Sequence, residues 1–426
     1  MPSLSTPALT GFTRENLETL IANLAAPDSA VRRAAFARFE SLTPTKPASS
    51  ARGNETSTIT LDGLRPFDFS AVRTPALSDI PDAHVVIIDG VGKVRVDPVL
   101  ARLGVHATSF RSACAADDGA LQTILASLPI EADTRWGSLV RAFATDGVFI
   151  DVPQGVRVEV PITIVHSARE LDAPAWTLVR AGAGARVSVI ERINATAERT
   201  FIGRCDVIAE LGSHVSITVL QDADPHATVL WSRNSHCASE AVIEWAIAQL
   251  GARMATDTLV ADLNGEGARA TVAAVFFSTK GRFIDFSPRI RHLVPKTTSE
   301  TVVKSAASAG GRGRSVGDIV IAAAAHGSQA SLRADALLLS ADAHLDCVPA
   351  LEIAANDVSA FHGATVGTLD DEELFYAQSR GIPRDEAERL IALGFFEPAL
   401  ARFPDDAVRK ELRERLASLL TSENVA

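Results

Sequence analysis

From Gly147 to Val366 the chain repeats with a period of two residues and, on a longer scale, with a period of about 28, and few folds satisfy both. Val148, Ile150 and Val152 fall on alternate positions, as do Val156, Val158, Val160, Ile162 and Ile164. Successive side chains point to opposite faces of a strand, so this alternation marks strands with one buried face. The segments GAGARVSV at 182–189, LGSHVSITV at 211–219, SEAVIEWAI at 239–247 and GEGARATVAAV at 265–275 recur at the longer spacing, and HGSQASLRADALLLS at 326–340 echoes them. Small residues near the start of each unit allow a tight corner, and the apolar residues that follow stack on the next unit. A right-handed parallel β-helix over 146–366 is the economical reading, and a β-sandwich of the same short strands is the alternative. Aromatic residues make up only 5% of the chain, with one tyrosine and two methionines, so the core must be built from Ala, Val, Leu, Ile and Phe. A narrow lumen suits that set.

The flanks read differently. Residues 14–43 show apolar spacing of three and four with a break at Pro27-Asp28-Ser29, which predicts a helical hairpin within an N-terminal helical region over 1–50. Residues 51–145 read as linker and mixed α/β: a polar loop over 43–60, strands near Val85–Ile88 and Val94–Val96, then helical spacing over 98–128. Residues 367–426 are expected to form a C-terminal helical domain. Its first helix starts after Thr368 and stops at Gly381, the second runs from Pro383 to Gly394, and the third opens at Pro404-Asp405-Asp406.

Charge and composition narrow the function. A formal net charge of −11 with no basic arm speaks against nucleic-acid binding, which needs cations to displace counterions from phosphates. No apolar run approaches the roughly 18–20 residues of a membrane span, and Met1-Pro2-Ser3 does not open a secretion signal, so a cytoplasmic protein without membrane contact is expected. Cys114, Cys205, Cys237 and Cys347 lie far apart without a CxxC pair and read as buried free thiols.

The stretch LEIAANDVSAFHGATVGTLDDEELFYAQSRGIPRDEAERLIALGFF at 351–396 resembles the C-terminal core of the SufB/SufD family of iron–sulfur cluster assembly proteins, and its HGAT turn resembles SufD most. LNGEGA at 263–268, HLVPKTTSE at 292–300, LLLS at 337–340 and AFATDGVFIDVPQGVRVEVPI at 142–162 are similar to family landmarks in the same order, so the resemblance spans roughly 140–400. It implies a β-helix between helical ends and a non-catalytic scaffold. Such a subunit pairs with a SufB-like chain, docks a SufC-like ABC ATPase through its C-terminal helices, and shares a transient Fe–S cluster with its partner. His362 matches the family's interface histidine, a chemically reasonable iron ligand. Ala360 stands where well-studied SufD chains have cysteine, so the thiolates are expected from the partner. Phe375, Arg380, Gly381, Ile382 and Phe395 are the residues implied for ATPase docking. A homodimeric ATPase tether without cluster ligation is the alternative within the family.

Other constellations are weaker. GGRGRSVG at 310–317 lacks the Lys-Ser/Thr ending of a phosphate loop and reads as a flexible solenoid loop. LNGEGA reads as a tight corner with Glu266 capping it or facing solvent. The histidines never fall at HxH or HExxH spacing. A polysaccharide-active β-helix enzyme would need paired carboxylates, for which Asp285, Asp335 and Asp342 are the candidates.

Overall fold

A computed structural model describes residues 11–24, 29–42, 61, 64–66, 84–95, 97–115, 119–130 and 134–420; the loop expected over 43–60 and the break residues Pro27 and Asp28 lie outside them. Helices α1 (Arg14–Leu24) and α2 (Ser29–Ser41) come first, then the hairpin β1 (Val85–Ile88) and β2 (Val91–Val94). Next are α3 (Pro98–Arg102), β3 (His106–Ser109), α4 (Phe110–Ala115), α5 (Gly119–Ser127) and α6 (Arg135–Phe143). The solenoid follows as β4 (Val148–Val152), β5 (Ile162–Ala168), β6 (Ala175–Ala181), β7 (Arg186–Ala195), β8 (Thr200–Ala209), β9 (His214–Gln221), β10 (Thr228–Cys237) and β11 (Val242–Gln249). It continues through β12 (Met254–Leu263), β13 (Arg269–Thr279), β14 (Phe283–His292), β15 (Thr298–Ser308), β16 (Arg312–Ile321), β17 (Gln329–Leu338), β18 (His344–Ile353) and β19 (Ser359–Thr368). Helices α7 (Asp371–Ser379), α8 (Arg384–Leu400) and α9 (Asp406–Leu419) complete the described chain.

Even-numbered strands from β4 to β18 form one parallel sheet and odd-numbered strands from β5 to β19 the other, so about eight coils stack into a β-helix and the sandwich alternative falls. Adjacent coils pair without a register slip along most of the solenoid. One lumen column runs Val189, Ile217, Trp245, Val272, Thr301, Leu332 and ends at His362. The lumen is mostly small and aliphatic, but it also admits Phe201, Trp231, Trp245, Phe276 and Phe286. Trp231 fits because its register partner is Gly203, where a Cβ would lie 2.2 Å from the indole ring. Gly317 likewise faces Leu332, whose Cδ1 would be 2.3 Å from an added Cβ. The stretch expected to be a flexible loop is therefore largely strand β16, with glycine required by packing.

Helices cover part of each outer face. Phe12, Phe36 and Phe143 meet edge-on and join α1, α2 and α6 to Trp176, Ile202 and Leu230 on one sheet. On the other sheet, Ala273, Phe277, Val302 and Leu337 pack against Phe396, Phe403, Leu412 and Leu416. Full burial of one such side chain contributes about 1.5–3 kcal/mol. That burial explains why Gly394 does not end α8: the next turn carries Phe396, Ala399 and Leu400, which this contact buries.

Other boundaries shift too. The second strand is Val91–Val94, which hairpins back on β1 and so starts earlier than the expected Val94–Val96; Val96 lies outside the described residues. The helical spacing over 98–128 is broken by β3, which pairs antiparallel with β4. Val156, Val158 and Val160 form no strand between Pro153 and Pro161, neither of which can donate to a ladder; Val160 is 58% exposed. The cap of α7 is Asp370, whose carboxylate accepts from the Glu372 and Glu373 amides, rather than Thr368.

Candidate functional site at the open end of the solenoid

Among the described residues the last coil has neighbouring strands on one side only. Leu332 is 1% exposed, whereas His362, next in the same column, is exposed because no further coil covers it. Ala360 pairs with buried Ala330 and is half-buried against the lumen core, so a cysteine at 360 would also face the lumen mouth. Phe361 and Val366 on β19, with Ile353 on β18, leave apolar surface at this edge, Phe361 being 59% exposed. Beside Phe361 a groove of about 430 Å³ runs between the last odd-numbered strands and α8, lined by Lys304, Arg333, Asp335 and Arg402. Unpaired strand edges with exposed apolar side chains are a template for another chain.

Cys347 does not join His362. It is half-buried in the lumen, with its thiol pushed up to about 11 mainly by burial and further by Asp335, and it interacts with Ser305. Ser305 is in register with Ala336 and, on the final strand, Val366. Val366 is four residues along β19 from His362, about 13 Å at the rise of a strand. Cys205 and Cys237 are buried, and burial pushes the Cys237 thiol up to about 12. Among the described residues no group of three or more His, Cys, Asp or Glu is arranged to hold a metal ion. Among the described residues the mouth thus presents the exposed His362 imidazole.

The five docking candidates separate. Phe375 is 74% exposed, Arg380 and Gly381 are exposed, and Ile382 is half-buried. Phe395 is half-buried, with the Lys304 ammonium 4.5 Å from its ring centre, and it packs on the helix–sheet core. Two residues missed by sequence reasoning join the exposed face, Tyr376 at 61% and Leu390 at 48%. The signal was available as large apolar side chains on otherwise polar helices; in the structure the Tyr376 ring also carries the Arg380 guanidinium, 5.2 Å from its centre.

The glycosidase candidates are occupied. Asp285 is buried and bonded to Arg314 and Ser287, Asp335 is held by Lys304, Arg333 and Thr365, and Asp342 accepts from Ser340. Asp285 and Asp335 lie on different sheets, so they do not share a cleft. At the LNGEGA corner Gly267 has φ +74°, and Glu266 pairs with Lys296 at 2.6 Å.

Sequence reasoning also passed over a polar chain inside the lumen. His166 Nε2 lies 3.1 Å from Glu191 Oε1, and Arg233 Nη1 donates to Glu191 Oε2 at 2.7 Å. Arg233 Nε donates to both Asp257 oxygens at 3.1 and 2.9 Å, and Gln249 Nε2 to Asp257 Oδ2 at 3.2 Å. All five side chains are buried. Burial alone would raise the Glu191 carboxyl, but the His166 hydrogen bond and the Arg233 charge hold it at about 2.

The family model described as SUF system FeS cluster assembly, SufBD core domain, matches residues 164–395, more than half of the chain. The chain is similar to the iron–sulfur cluster assembly protein SufB of Bacillus subtilis strain 168, at 28% identity over 277 residues, 64% of this chain and 60% of that protein. It is 27% identical over 338 residues to a SufBD family protein of Staphylococcus epidermidis strain ATCC 12228, covering 76% of this chain and 73% of the relative. A SufBD family protein of Mycobacterium leprae is 29% identical over 261 residues, only 30% of its own length. With a parallel β-helix matched from β5 through most of α8, the chain belongs to the SufBD family of iron–sulfur cluster assembly proteins.

Proposed function

We propose that this chain is a SufD-like, non-catalytic scaffold subunit of an Fe–S assembly complex. Its open end pairs with a SufB-like subunit, and the exposed face of α7 and α8 docks a SufC-like ATPase. The observation that carries this reading is the lumen column that ends in an uncovered His362 beside two unpaired strand edges. In the complex a partner strand covers that edge, and the His362 imidazole contributes a nitrogen to a cluster whose thiolates come from the partner. Phe375, Tyr376 and Leu390 supply apolar contact to the ATPase, and Arg380 and Gly381 shape the turn between the two helices.

A second reading has its own support: Ala360 puts a methyl group where a lumen-mouth thiol would lie, and Cys347 is too far along the strand to replace it. On that reading the chain self-pairs as an ATPase tether and ligates no cluster. His362→Ala in the reconstituted complex separates the two. Complex formation stays intact in both cases; a several-fold lower cluster yield supports the scaffold reading, and an unchanged yield favours the tether.

A further inference from the structure

Among the described residues, the lumen network has buried polar atoms without a hydrogen-bond partner in the chain: Trp231 Nε1, Arg233 Nη2, Gln249 Oε1 and His166 Nδ1. They belong to one neighbourhood. The His166 and Trp231 rings meet edge-on at 5.0 Å, the Arg233 guanidinium lies 5.1 Å from the Trp231 ring, and Arg233 and Gln249 both hold Asp257 Oδ2. Leaving such atoms dry is costly relative to the small net stability of a fold, so a small hydrogen-bonding guest in the lumen would stabilise it.

The chemistry of the unpartnered set selects that guest. Trp231 Nε1 and Arg233 Nη2 are obligate donors. Gln249 must turn its amide nitrogen to Asp257, which leaves its oxygen as an obligate acceptor. Nε2 of His166 faces the Glu191 carboxylate and donates to it, which leaves Nδ1 as the ring nitrogen turned to the guest. The guest must therefore both donate and accept. A simple anion would leave Gln249 unsatisfied and face two carboxylates, and a metal cation would face Arg233 and the indole N–H.

We propose that the middle coils bind ordered water inside the β-helix, one site bridging Arg233 Nη2 and Gln249 Oε1 beside Asp257, and another joining Trp231 Nε1 to His166 Nδ1. Buried water that satisfies otherwise unpaired groups is a structural component of a protein. This site is independent of the assembly role proposed above.

A crystal structure of the full chain that shows ordered water tests it. The expected result is density roughly 2.7–3.2 Å from Arg233 Nη2 and Gln249 Oε1, and from Trp231 Nε1. A map that resolves buried water elsewhere but is empty at both places overturns the proposal. In solution, oxygen-17 relaxation dispersion counts long-lived waters in the wild type, in Gln249→Met and in Trp231→Phe. Each substitution should remove about one such water, and folded variants with the wild-type count would overturn the proposal. If a variant does not fold, the wild-type map decides.

Discussion

Replacing Arg233 with Met should be among the most damaging single changes in this chain. The methionine keeps much of the stem volume but removes the cation between Glu191 and Asp257, all three side chains being buried. Breaking a buried ion pair by deleting one partner costs about 3–5 kcal/mol, because the surviving charge keeps its desolvation penalty without compensation. Here two carboxylates are stranded, so the upper end of that range is expected, against a total stability of about 5–15 kcal/mol for a typical domain. Urea unfolding followed by tryptophan emission reads the site locally, since the guanidinium lies 5.1 and 5.8 Å from the Trp231 and Trp245 rings. The triple variant Arg233→Met, Glu191→Gln, Asp257→Asn removes the stranded charges and should recover most of the loss. A loss below about 1 kcal/mol in the single variant, the figure expected of an exposed pair, would refute the reasoning. So would a triple variant no more stable than the single one.

Three other outcomes are expected. His292 is buried, its ring nitrogens each 2.8 Å from the Thr297 and Ser299 hydroxyls, and burial lowers its pKa to about 4. The unfolded chain binds a proton near pH 6.5 that the folded chain takes up only near 4, so this group's contribution is complete above pH 6.5 and is lost as pH falls towards 4. The loss is about 3 kcal/mol, and the difference between wild-type and His292→Gln unfolding curves over that window measures it. Gly203→Ala drives a methyl into the Trp231 ring and should destabilise by about 1–3 kcal/mol or more in thermal or urea unfolding, whereas Gly155→Ala, with open space around its Cβ, costs only its backbone strain. Phe375→Glu on α7 should abolish co-purification of a SufC-like ATPase while leaving the fold intact, and retained binding would remove the docking assignment. This substitution is a cleaner test than deleting everything after Val366, since α8 and α9 bury Phe277 and Leu337 of the solenoid.

Much of the architecture was legible because strand parity is a local property. Val187, Val189 and Ile193 alternate in sequence and all three enter the lumen. The 28-residue echo told that the coils stack, and the glycines at corners such as Gly184 and Gly212 take positive φ as expected of tight turns. Helix ends were less legible. Asp370 outcompeted Thr368 as a cap, and α8 ran past Gly394 because burial of Phe396 outweighs the weak helix preference of one glycine.

By itself, then, the sequence determined a repeat of short strands between helical ends, best read as stacked coils, and through its motifs it pointed to the family of the chain. Only the tertiary structure decided which residues meet. Parity places Glu191 and Arg233 in the lumen, but their ion pair bridges the two sheets and residues 42 apart, and depends on how the coils stack. In the same way nothing in the AFHG segment, expected as a turn and found within strand β19, shows that His362 continues a buried column from Val189 to Leu332 and ends it in the open. Contact across coils is a product of register, and register is settled by the packing of the whole stack.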